Sequence, residues 1–245
     1  MRKHPIRWSL LALLVVLVVA AAIYLNPYEP SAEAVRAMQS GEGVTVTNES
    51  KMIRFEPEKP NGTSIIYYPG ALVKPASYAT YARELAQDGY RTFIVKMPMN
   101  LAIIDADRAD AVVEASKGET KRFIIGGHSL GGTMAARYAA KHPEIMKGVF
   151  FMASYPESKG DLAKVNMPVL SVTGSKDGVL NRDKYDTSKS LLPADAVFYE
   201  VEGGNHALFG SYGAQKGDQP ASITPEEQLQ SVTDMMLSWL SGLRP

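Results

Sequence analysis

The chain contains no cysteine. That excludes disulfides, thiol nucleophiles, thioether-linked haem and cysteine-based zinc sites. Histidine is scarce as well, with four in 245 residues and no H-E-x-x-H pair among them, so a metal requirement is not indicated. A surplus of charge is equally lacking. Lys plus Arg and Asp plus Glu both number 26, which gives no overall field to attract nucleic acid, and no nucleic-acid partner is expected. No internal repeat is present. What the chain does have is 45% hydrophobic content, enough to build the core of one α/β domain at this length.

The exception to the sparse patterning is the N-terminus. From Trp8 to Leu25, WSLLALLVVLVVAAAIYL carries no charge, and Arg2, Lys3 and Arg7 precede it. As a helix this run would measure about 27 Å, close to the roughly 30 Å of a bilayer core. The expectation is a basic flank and transmembrane signal anchor over residues 1–30, including a short tether at Pro27 to Pro30. The globular domain, residues 31–245, would then lie outside the cytoplasm on a single-pass cell-membrane protein, with the membrane as a partner. The alternative is a secretory signal cleaved near Ala20-Ala21-Ala22, which would release the domain.

VTVTNES and KMIRFEP read as two short edge strands around a polar turn, ended by Pro57 and Pro60. Six further apolar runs follow: TSIIYYPG, RTFIVKMP, RFIIGGHS, KGVFFMAS, MPVLSVTG and AVFYEVEG. Each has the length and β-branched or aromatic content of a buried strand. Helical patterns lie over Ser77 to Gln87, Asp105 to Lys117, Leu130 to Lys141, Arg182 to Leu191 and Pro225 to Leu240. This alternation predicts a three-layer α/β fold: a mostly parallel sheet of about eight strands with helices on both faces. The link from Ser154 to Met167 is too short for a large lid domain. Chemistry in such a sheet belongs at the carboxyl ends of the strands.

RFIIGGHSLGG holds Gly127-x-Ser129-x-Gly131. With 20 glycines in the chain, chance supplies that spacing about once in ten such chains. The context decides otherwise, because Ser129 follows an apolar run and precedes a segment of strong helix formers. Glycines two residues to either side leave room for a serine on a sharp strand-to-helix turn. A serine nucleophile needs a base and a group to orient it. Asp177 in GSKDGVL and His206 in GNHALFG lie just beyond the ends of two later apolar runs, with Asp183 and Asp186 as fallback acids. His4 belongs to the basic flank, His142 to a helix end, and His128 is expected to point away from the site. Donors for an oxyanion are expected from the N–H of Leu130 and from Ala71, or its neighbour Leu72, after Gly70.

With YYPGALV, GGHSLGG, TGSKDGV and GGNHALFG in this order, the chain resembles the alpha/beta-hydrolase superfamily. Within it, the resemblance is to the compact fold-5 family, with dienelactone-hydrolase-like relatives, over roughly residues 62 to 240. The resemblance implies a Ser-Asp-His triad falling on Ser129, Asp177 and His206, and no cofactor. Two features depart from the pattern. Tyr68-Pro69-Gly70 stands where many relatives have His-Gly, and dienelactone hydrolases proper use a cysteine nucleophile, which this chain lacks.

These features predict a serine hydrolase of the carboxylesterase type, acting on a small-molecule acyl or ester substrate through an acyl-enzyme. A non-catalytic tethered binding protein and an acyltransferase are the alternatives. Lys96 to Asn100 and Leu208 to Gln219 are the expected pocket walls, whose methionine and aromatic residues suit an apolar acyl group.

Overall fold

The eight strands of the computed structural model form one sheet in the order β1-β2-β4-β3-β5-β6-β7-β8. The structure describes residues 9, 10, 13 and 26–243. The strands are β1 (Val44–Asn48), β2 (Met52–Pro57), β3 (Thr63–Tyr68), β4 (Arg91–Val95), β5 (Arg122–His128), β6 (Met146–Met152), β7 (Val169–Gly174) and β8 (Val197–Val201). β1 and β2 pair antiparallel with each other, and β2 pairs antiparallel with β4. Every pairing from β4 through β3 to β8 is parallel. The expected edge hairpin and the six parallel runs are therefore all present.

The helices are α1 (Ala32–Ala37), α2 (Ala79–Gln87), α3 (Asp110–Ala115), α4 (Leu130–Lys141), α5 (Arg182–Ser188) and α6 (Pro225–Gly242). Alternation along the strands sorts side chains between two cores. Ile65 and Tyr67 join Leu85 of α2 and Met236 of α6 on one face. Ile66 and Tyr68 join Val112 of α3 and Met134 of α4 on the other. Burial on both faces explains why β3 is buried along its whole length and why Ile65 to Tyr68 form an unbroken run rather than alternating with polar residues.

The helix expected from Asp105 shortens to α3. Tyr68 accounts for the loss, because its hydroxyl donates to the Ala106 carbonyl and accepts the Ala109 N–H, each at 2.8 Å. Both backbone groups are thus satisfied by a side chain instead of by a helical turn. The short α1 went unforeseen. Within the expected tether, Tyr28 donates its N–H to Leu72 O at 2.7 Å and accepts the Lys74 N–H at 3.1 Å, lying beside the loop that follows β3.

The anchor requires correction. Among the described residues no helix is long and apolar enough to cross a membrane. A span needs about 20 consecutive apolar residues, whereas α6, at 18 residues, carries Glu226, Glu227 and Asp234. The single-pass placement and the membrane as a partner are not upheld. Of the Trp8 to Leu25 stretch only residues 9, 10 and 13 are described, so both the expected span and the alternative cleavage site lie largely outside the described residues.

Candidate active site

Four consecutive strand exits carry strained backbone. Of the six described non-glycine residues with positive φ, five follow strands at the carboxyl edge: Leu72 after β3, Met99 and Asn100 after β4, Ser129 after β5 and Ala153 after β6. Such conformations cost on the order of 1–3 kcal/mol each and concentrate at functional sites.

Ser129 has φ 51° and ψ −126° at the junction of β5 and α4, and its N–H donates to Met152 O at 3.0 Å. The flanking glycines are required by contact. A Cβ at either Gly127 or Gly131 would overlap the Tyr68 carbonyl oxygen, and one at Gly132 would lie 2.6 Å from Ser154 Oγ. Glycine here permits close packing of β3, β5 and α4.

Asp177 and His206 come together from the exits of β7 and β8. Asp177 Oδ2 and His206 Nδ1 are 2.8 Å apart, with both side chains buried. The second carboxylate oxygen accepts the N–H groups of Val179 and Leu180, each at 2.8 Å. A local turn bond and a long-range bond therefore coexist on one carboxylate. His206 Nε2 is buried and has no partner among the described residues. Ser129 and His206 line one cleft of about 300 Å³. Asp183 and Asp186 take no part: both lie on α5, where Asp186 pairs with Lys189.

The cleft walls differ from expectation. Leu130, Thr133, Ala153, Tyr155, Val179 and Asn181 line it, along with Ser154 and Leu180. Lys96 to Asn100 do not, and residues 208 and 210–213 face a separate cleft beside α6. The loops after β6 and β7 close on Ser129 instead. A larger cleft of about 550 Å³ lies beside Tyr199 and Ser231, but no serine and histidine converge there.

The oxyanion donors can be narrowed. Leu130 opens α4, so its N–H has no carbonyl one turn back, and it lines the cleft. Of the two candidate donors after β3, Leu72 already donates its N–H to Asn100 O at 2.8 Å, so Ala71 is the better placed candidate. Gly70 is fixed by its N–H donating to Tyr78 Oη at 2.9 Å, and a Cβ there would lie 2.8 Å from His128 Nδ1.

His128 does not point away as expected. It is buried with its ring 4.5 Å from that of His206, and its Nδ1 is 2.9 Å from Tyr78 Oη. Tyr78 Oη, which accepts the Gly70 N–H, is placed to give its own proton to Nδ1, the arrangement that puts the His128 proton on Nε2. Burial, and after it the charge of His206, holds the His128 pKa well below the ordinary histidine range. Tyr78, immediately before α2, and His128, the last residue of β5, meet in the interior, and no local sequence pattern marks either. Among the described residues no group of three His, Cys, Asp or Glu is placed to hold a metal.

The family model described as "Alpha/beta hydrolase family" matches residues 64–230. A putative carboxymethylenebutenolidase of Yersinia pestis is 27% identical over 134 residues, covering 49% of each chain, so this chain spans about half the length of that curated relative. A predicted CIB-like hydrolase from Thermoplasma acidophilum superimposes with a TM-score of 0.60 at 19% identity, over 79% of this chain and 99% of that one. Carboxyl esterase 2 of the fungus Tuber melanosporum gives 0.61 at 13% identity, over 84% and 90%. At such identities the two structures show a shared fold.

Proposed function

The chain belongs to the alpha/beta hydrolase family, and on that premise we propose that it is a serine hydrolase cleaving carboxylic esters through an acyl-enzyme. Ser129 is the nucleophile, His206 the general base and Asp177 the acid that orients it. The observation that carries this reading is the 2.8 Å bond from Asp177 to His206 Nδ1, with Nε2 left free and Ser129 on the same cleft.

In the first half-reaction, Ser129 Oγ attacks the ester carbonyl carbon while His206 Nε2 takes the hydroxyl proton. Asp177 keeps the His206 proton on Nδ1, so Nε2 is a base at rest, and it stabilises the imidazolium once formed. The carbonyl oxygen becomes an oxyanion facing the N–H groups of Leu130 and Ala71. Collapse expels the alkoxide, which receives the proton from His206 and leaves as the alcohol. Water then repeats the sequence on the acyl-serine and releases the carboxylic acid. The strain at Ser129 belongs to this mechanism, since it fixes Oγ at the cleft before substrate arrives.

The cleft, at the low end of volumes for small-molecule sites, favours a short acyl group. Names of the relatives, a butenolidase and a carboxyl esterase, support ester bonds as the class. Release of nitrophenol from nitrophenyl esters of increasing chain length tests the reading. Turnover is expected to be fastest with the shortest acyl chains and lost in His206→Ala. Equal rates in the parent chain and His206→Ala would refute it.

A further inference from the structure

Asp218, in the segment between His206 and α6, touches both loops of the acid–base pair. Its half-buried carboxylate accepts the Gly178 N–H on Oδ1 at 2.9 Å and the Ala207 N–H on Oδ2 at 2.8 Å. Oδ1 also accepts the Gln219 N–H at 2.9 Å. Gly178 follows Asp177 directly, and Ala207 follows His206 directly. One rigid, planar group therefore spans the two backbones from which acid and base project.

On the other side of the pair, Lys176 N–H donates to Gly204 O at 2.8 Å. The Asp177 to His206 bond thus sits between two cross-loop ties, one from backbone alone and one through Asp218. The approach is close enough to exclude a side chain, because a Cβ on Gly178 would lie 2.8 Å from Gly217 O and 2.9 Å from Gln219 N. The base loop has its own anchor: Gln228, fully buried on α6, accepts the Asn205 N–H at 2.9 Å and donates to Asn205 O at 3.0 Å. Asn205 Nδ2 donates in turn to Gln219 O at 2.7 Å, which seats the segment carrying Asp218.

We propose that Asp218 is a positioning residue that acts through Gly178 and Ala207 to hold Asp177 Oδ2 against His206 Nδ1. The inference rests on the reading of Asp177 and His206 as acid and base. A carboxylate suits the task because three N–H donors converge on it and it has acceptors only. Asp218→Asn keeps the shape but turns an NH₂ toward one of those donors, which spreads the two loops.

The test is a double-mutant cycle on nitrophenyl ester hydrolysis. In the parent chain, Asp218→Asn is expected to lower kcat by about 10- to 100-fold, as a misplacement near 1 Å does, and to leave KM within about twofold. In an Asp177→Asn background the same change should alter kcat by less than about twofold, because the bond it supports is already broken. Asp218→Ser, which retains one acceptor, provides the same comparison if the asparagine variant does not fold. An unchanged kcat, or an equal loss in both backgrounds, would assign Asp218 a purely structural role and overturn the proposal. Ser129→Ala separates the two levels. If it keeps the parent rate, the reading of the site fails and this inference with it. If it is inactive while Asp218→Asn keeps the parent kcat, this inference alone fails.

Discussion

Asp177 holds His206 with one carboxylate oxygen, at 2.8 Å from Nδ1, while the other oxygen accepts the N–H groups of Val179 and Leu180 from its own turn. Asp177 is therefore held by its own turn as well as by His206. Both side chains are out of solvent, so the bond is not competed for by water.

Asp177→Asn should preserve the turn and abolish the function. The asparagine oxygen can still accept from Val179 and Leu180, but its NH₂ then faces Nδ1 and makes that nitrogen an acceptor. The His206 proton moves to Nε2, which can no longer take one from Ser129. A fall in kcat of about 10⁴-fold is expected, with little change in the melting temperature. Steady-state kinetics beside thermal unfolding measure both, and a loss under about tenfold would contradict the assigned tautomer.

Tyr78→Phe removes the acceptor of the Gly70 N–H and the donor to His128 Nδ1 in one step. Each buried group left unpaired costs about 1–3 kcal/mol, and each kcal/mol lowers the melting temperature of a chain this size by roughly 2–4 °C. Gly70 immediately precedes Ala71, so loosening it should also lower kcat by about tenfold with KM nearly unchanged. A variant that melts lower but keeps its kcat would remove the loop after β3 from the oxyanion site.

His128 predicts an acid sensitivity of the fold. Its folded-state pKa is depressed by burial and by the charge of His206, so the unfolded chain binds a proton that the folded chain refuses. Near neutral pH and above, the residue is neutral in both states and contributes nothing. Below the unfolded value of about 6.5, stability falls with pH by up to about 1.4 kcal/mol per unit from this group. His128→Asn, which can still accept from Tyr78, should flatten the fall in unfolding free energy between about pH 6 and 5 by close to one proton. Identical slopes in denaturant titrations of parent and variant would contradict this.

Much of the fold was legible because it rests on local patterns. α4 runs over Leu130–Lys141, the expected span, since a glycine-rich turn precedes it and its helix formers are uninterrupted. Ser129, Asp177 and His206 drew notice because Ser129 follows β5 directly and the other two lie three and five residues beyond the ends of β7 and β8. What could not be read depends on side chains meeting across the sheet. Tyr68 shortens α3 from another strand, and His128 turns inward because Tyr78 and His206 receive it. The cleft is walled by the loops after β6 and β7 rather than by residues 96–100. Asp218 binds two loops from a segment with no pattern of its own. The N-terminal run misled for a different reason: hydropathy alone proposed a span, and no described helix is long and apolar enough to cross a membrane.

The central claim is that Ser129 is the nucleophile, and covalent labelling by a fluorophosphonate tests it most directly. Intact and peptide mass measurements should show one adduct, carried by the peptide containing Ser129, formed in the parent chain and absent from Ser129→Ala. Labelling should also slow by several orders of magnitude in His206→Ala. Undiminished labelling of Ser129→Ala, or an adduct on a different serine, would contradict the account.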